Sequence, residues 1–183
     1  MPISLDRPLA PAIKLQEKGQ YINGHVCDVS IVPLFEFGSQ KVRLTDDGRE
    51  RSQEKVHLLV TGGTAVIKDG EDFRPVRAGE EVVVWLASGR RWAWIQAKRL
   101  AGGLDVGDVV QIVYKGEEQG KGVQPRKVWT VAIRKPEEKD GDGPKRAEAI
   151  YHRLRAAAPT DPRAGQVEDD YAEPDPEEYS IPF

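Results

Sequence analysis

The sequence predicts a mainly β domain of five strands, with one helix between the third and fourth, then a second helix and a disordered acidic tail. Three observations carry this. Alternating or β-branched apolar runs recur between turn signals at residues 20–32, 55–60, 81–87, 108–115 and 127–135. Helical spacing replaces alternation at residues 90–100 and 145–158. The last sixteen residues, EDDYAEPDPEEYSIPF, hold seven carboxylates and no basic residue. Such a stretch has too little apolar surface to offset the entropy of ordering, and its like charges keep it extended.

Residues 1–11 are Pro-rich and read as a loose arm. In residues 20–32 the apolar positions change parity near Cys27 and Asp28, which predicts a bulge in a long bent strand. Residues 33–54 form a loop that mixes Phe35 and Phe37 with several cations, and Asp46-Asp47-Gly48 reads as a turn within it. Val56, Leu58 and Val60 share one face of the second strand. Residues 64–68 suggest a short extra strand before an Asp69-Gly70 turn. In the third, Val82, Val84 and Leu86 share one face while Val83 and Trp85 share the other. Gly102-Gly103 stops the first helix. Trp92 and Trp94 lie two apart on it and cannot share a face, so one of them is expected to plug the domain. Gly143-Pro144 opens the second helix and Pro159 ends it. The chain thus divides into an arm (1–12), a β domain (13–136), a linker with a short basic helix (137–166) and an acidic tail (167–183).

The 183 residues carry a formal charge of −3, but the charge is segregated. All 27 Lys and Arg lie at or before Arg163, while seven of the 30 acids lie after Gln166. The 27 bases against the other 23 acids leave residues 1–166 at +4 and the tail at −7. A basic body suits phosphate and an acidic tail suits basic protein. The single cysteine, Cys27, excludes an intramolecular disulfide and a Cys-cluster metal site, and fits a reducing cytosol. No stretch reads as a membrane span or a secretion signal, so a cytoplasmic location is expected.

The order strand, strand, strand, helix, strand, strand is that of the five-stranded oligonucleotide-binding (OB) Greek-key barrel. The acidic run ending in Ile181-Pro182-Phe183 resembles the C-terminal tip of bacterial single-stranded-DNA-binding proteins. The stretch Gly107-Asp108-Val109-Val110-Gln111-Ile112-Val113-Tyr114-Lys115-Gly116, its Gly/Lys loop and the return Lys127-Val128-Trp129-Thr130-Val131 are similar to the last two strands of phage-encoded single-strand-binding barrels. The linker lacks the long Gly/Gln-rich tract of the bacterial family, which sets its tetramer and multi-mode wrapping aside and fits a phage or plasmid version in a bacterial host.

The resemblance implies a groove on the outer face of strands two and three, flanked by the one-two and four-five loops. Its expected DNA-binding residues are Phe35, Phe37, Lys41, Arg43, Arg49 and Arg51 in the first loop. Lys55, His57 and Trp85 follow on the strands, then Lys115, Lys121, Arg126 and Lys127 at the second loop. Cations track phosphate and aromatic faces stack on bases. Trp129 alternates with Val131 and Ile133 and is expected in the core. In the tail, Asp169, Asp170, Glu177, Glu178, Ile181, Pro182 and Phe183 are the expected protein hook, with Phe183 in a pocket and the carboxylates on basic side chains. The second helix reads either as packed on the barrel or as a further cationic surface.

His25, His57 and His152 have no metal-ligand spacing, GEEQGKG lacks the Gly-Lys-Ser/Thr of a phosphate loop, and no nucleophile sits in a supporting motif. The expectation is a non-enzyme without cofactor that coats single-stranded DNA in replication, recombination or repair and recruits genome-maintenance proteins through its tip. Homo-oligomerisation is left open. The alternatives are an adaptor that mimics a host tip, or an accessory subunit of a recombinase or nuclease.

Overall fold

The computed structural model describes residues 10–34, 36, 39, 41–86, 88–119, 122 and 125–157. The expected hook residues and most of the N-terminal arm lie outside them. The strands are β1 (Ile13–Lys14), β2 (Tyr21–Pro33), β3 (Ser52–Gly63), β4 (Val66–Asp69), β5 (Asp72–Pro75), β6 (Glu81–Leu86), β7 (Val109–Glu118) and β8 (Arg126–Arg134). The helices are α1 (Ser88–Leu100) and α2 (Gly143–Ala157), with a short 3₁₀ turn at Glu138–Asp140 before α2. The chain is mainly β, as expected, but it builds two antiparallel sheets. One has the order β6-β3-β2-β7-β8 and the other β1-β4-β5.

β2 is the strand both halves of the large sheet share, and it is bent. Its register against β3 shifts between Val26 and Asp28, so Cys27 is the bulged residue at the parity change. Ile22 and Val26 before the bulge, and Val29 after it, therefore all contribute to one core. That core adds Val56, Leu58 and Val60 of β3, Val82, Val84 and Leu86 of β6, and Val110 and Ile112 of β7. Each set is one parity of its strand, and in β3 and β6 alternation in the sequence located it.

A closed barrel, expected from the strand order, is not formed. Among the described residues no ladder joins the edge strands β6 and β8. Two features occupy the space. Pro11 O accepts the Val83 N–H at 2.9 Å and Ala12 bridges Val83 in parallel, so the incoming chain takes hydrogen bonding on β6. α1 packs on β8 and touches β6, setting the fully buried Trp94 into the core. Trp92, two residues earlier, is 50% exposed. The Gly102-Gly103 stop ends α1, with the Gly103 N–H donating to Lys98 O at 3.0 Å.

The basic helix of the linker packs on the sheet. α2 lies on the outer face of β2 and β3, where Ala147 and Ile150 meet Cys27 and Leu59. Its first residue must be glycine, because a Cβ on Gly143 would sit 2.2 Å from His25 Nε2. Arg155 pairs with Asp28 at 2.8 Å, and Arg153 pairs with Glu81.

Replacing Trp94 by Ala should cost about 3–5 kcal/mol of unfolding free energy, since a large cavity would open in a tightly packed core. Trp92→Ala should cost about 1 kcal/mol or less. Urea denaturation followed by circular dichroism measures both, and equal costs would show that α1 does not plug the sheet through Trp94.

Candidate nucleic-acid interface

Alternation in β6 turns Trp85 outward while Val84 and Leu86 turn in. Trp85 is 37% exposed and stands directly across the β3–β6 ladder from Lys55, whose Nζ lies 5.8 Å from the ring centroid. A cation over an exposed indole contributes about 0.5–1 kcal/mol. The pair presents an apolar plane and a positive charge together, the two features that base stacking and phosphate contact require.

Arg90, which the sequence reading did not single out, holds this pair against the far edge of the sheet. Its Nη1 donates to Trp85 O at 2.9 Å, and its guanidinium lies 4.1 Å from the centroid of Trp129. Trp129 in turn meets Tyr114 at 4.7 Å between ring centroids. Burial pushes the Arg90 pKa down, yet a guanidinium stays charged at any ordinary pH. β8 comes close at this point: a Cβ on Gly89 would lie 3.1 Å from Lys127 O. The start of β8, with exposed Arg126 and Lys127, therefore adjoins the first turn of α1. Trp129 is partly buried against the core, in line with its parity.

The described residues between β2 and β3 form a hairpin-like extension. Leu34 N–H donates to Arg51 O at 2.8 Å, Arg43 N–H to Leu34 O at 2.7 Å, and Arg51 N–H to Arg43 O at 2.7 Å. The Asp46-Asp47-Gly48 turn caps its tip, where Gly48 N–H donates to Thr45 O at 2.9 Å. A hydrogen bond from Thr45 holds the Asp47 carboxyl below its usual range. Arg49 pairs with Asp47 at 3.1 Å, an exposed contact of small energetic weight. Lys41, Arg43 and Arg51 are exposed on the same extension.

Lys55, Trp85, Arg126 and Lys127 thus lie on or beside one end of the outer face, with the basic extension leading into it. Lys115 is exposed in β7, and Arg126 pairs with Glu118 at 3.3 Å. Phe35, Phe37 and Lys121 lie outside the described residues. His57 is set apart from the others. Its parity is outward, but α2 covers that stretch, leaving it 8% exposed with Nε2 2.9 Å from Glu81 Oε2. Burial works against the charge of Glu81, but hydrogen bonds from Arg153 and His57 hold its carboxyl below the usual range. Sequence patterning could not show this, because the covering helix lies far along the chain.

Among the described residues no cluster of His, Cys, Asp and Glu is arranged to hold a metal ion, and no helix is long and apolar enough to cross a membrane. The chain matches no protein-family profile, no curated protein and no solved structure.

The seam under α2 carries its own reporter. Cys27 is fully buried there, and burial first, with Glu81 second, pushes its thiol up to about 12. It should therefore resist Ellman's reagent at neutral pH. Arg153→Ala should speed labelling about fivefold, matching about 1 kcal/mol for a half-exposed ion pair. Glu81 is held below its unfolded pKa, so its contribution to docking is present above that value and is lost as pH falls through the folded one. Labelling at neutral pH that is unchanged in Arg153→Ala would show that the ion pair does not hold the helix.

Proposed function

We propose that this chain binds single-stranded DNA without strong sequence preference and recruits genome-maintenance proteins through its Ile181-Pro182-Phe183 segment. The observation that carries the proposal is the exposed Trp85 ring, with Lys55 across the ladder and the basic 34–51 extension leading to the same rim. The strand order of the large sheet supports it. Taking β2, β3, β6, β7 and β8 as strands one to five, the order is 3-2-1-4-5 with a helix after the third. We read this as an opened form of the OB barrel, in which the β1-β4-β5 sheet is an addition. The resemblance of residues 107–131 to phage single-strand-binding barrels points the same way. No step of this function needs a catalytic group.

Stacking on an aromatic contributes about 1–3 kcal/mol per base, and each phosphate neutralised on a single strand contributes about −0.7 to the slope of log K against log salt. With Lys41, Arg43, Arg51 and Lys55 each on a phosphate, oligo-dT binding should show a slope of about −3 in fluorescence anisotropy. Trp85→Ala should weaken binding about tenfold and leave that slope in place, whereas Arg43→Ala with Arg51→Ala should flatten it by about 1.4. Micromolar protein that gives no response at low salt would sink the proposal.

The tail reading is tested separately. Seven carboxylates on a tether compete with phosphate for the same cations. Truncation at residue 166 should raise low-salt affinity for DNA and abolish capture of host replication or repair proteins. Capture at undiminished strength would remove the tip as the hook.

A further inference from the structure

On the outer face of the sheet, across α2 from Trp85, lies a concavity of about 500 Å³. Its floor is built by register. Asn23 of β2, Gln111 of β7 and Ala132 of β8 stand side by side in one row, and His25, Val109 and Arg134 form the next. A register shift beside Gly62 leaves Thr61 as the extra residue of β3, and it lines the rim. The wall is the 3₁₀ turn before α2, fixed by two 2.7 Å hydrogen bonds from Arg134 to Asp140. Those bonds hold the Asp140 carboxyl far below its usual range, so the pair stays charged at any ordinary pH.

The chemistry of this cavity differs from that of the Trp85 rim. Arg134 is matched by Asp140, and Lys139 by Glu137 at 2.8 Å, so the lining offers phosphate little net positive charge. What it presents are two neutral carboxamides on adjacent strands, within about 5 Å of each other at Cβ. Each carries a donor and an acceptor. The Asn23 Oδ1 has no hydrogen-bond partner in the protein and is closed off from solvent, so a turn of this carboxamide toward the cavity would bring an unmatched acceptor to a ligand's donor. Val109 and Ala132 supply apolar surface beneath a planar ring.

We infer that this cavity is a base-reading subsite, in which the Asn23 and Gln111 carboxamides hydrogen-bond the edge of an unstacked nucleobase. It rests on the proposal that the chain binds single-stranded DNA. Adenine is the best complement, because a carboxamide can meet its adjacent donor and acceptor at once. The bases of a single strand are free to splay out and be read in this way. A strand stacked on Trp85 and continuing round the sheet delivers a base here, and the cavity adds affinity through the base alone.

The test uses the full chain and oligo-dA of about 20 nucleotides, long enough to pass beyond a single stacking face. It is compared with versions carrying abasic sugars in the 5′ or the 3′ half, which keep every phosphate. Wild type should bind the intact strand about tenfold more tightly than one of the abasic versions. Gln111→Ala, an exposed position, should cut that preference to about twofold and leave the salt slope unchanged. Ala132→Tyr, which fills the floor, should act alike. An abasic preference as large in both variants as in wild type overturns the inference while the Trp85 rim stands. A changed salt slope would make the cavity a phosphate contact, and would overturn it too. Wild type that binds no oligonucleotide at low salt removes the DNA-binding reading itself.

Discussion

The two edge strands of the large sheet, β6 and β8, exchange no backbone ladder and are separated by α1, and the rest of the molecule is arranged around that gap. The N-terminal segment bonds to β6 through Pro11 and Ala12, so part of that edge is already satisfied. α1 fills the remaining space with side chains. Trp94 closes the core from below, and Arg90 links the Trp85 carbonyl to the ring of Trp129. A ladder would have fixed the two edges through several evenly spaced bonds. A guanidinium fixes them at one point, beside the exposed indole that gives the face its character. The support for Trp85 and the side-chain link between the two open edges are therefore the same contact.

The parts of this fold legible in the sequence are those decided by local alternation. The Cys27 bulge, the inward set of β6 and the Gly-Gly stop of α1 each follow from a few consecutive residues. The β4–β5 hairpin was half visible, since its turn was clear but its strands are four residues each. Barrel closure was not legible, because strand order is the same whether β6 and β8 pair or are separated by a helix. His57 shows the same limit at the candidate site. Its outward parity is real, but exposure depends on what packs over that parity, and α2 arrives from nearly ninety residues later. Arg90 gave little signal, since one arginine at the start of a helix looks like many others. The cations of the 34–51 extension were easier to place, because a polar hairpin between two strands has only the surface to occupy.

α2 also settles the electrostatics of the outer face. The sheet beneath it carries Asp28 and Glu81, an acidic stretch on which a phosphate chain would be repelled. Arg155 and Arg153 neutralise the two carboxylates and bring Lys145 and Arg146 with them on the solvent side. Without the helix, the positive rim at Lys55 and the amide cavity at Asn23 would be divided by negative charge. With it, they are divided by a surface of opposite sign.

On the proposed function, that exchange gives the two ends of the face different chemical tasks. At the Trp85 rim, charge and an aromatic plane favour any base attached to phosphate. At the amide cavity the cations are already matched within the protein, so only hydrogen-bonding shape remains to be recognised. Attraction to the rim falls as salt rises, while a contact made through carboxamides does not, because it displaces no counterions. The helix that separates the two regions is held by ion pairs over a small apolar seam of Ala147, Ile150, Cys27 and Leu59. Salt should therefore weaken the rim and the seating of α2 together, and leave the cavity as the contact least dependent on ionic strength.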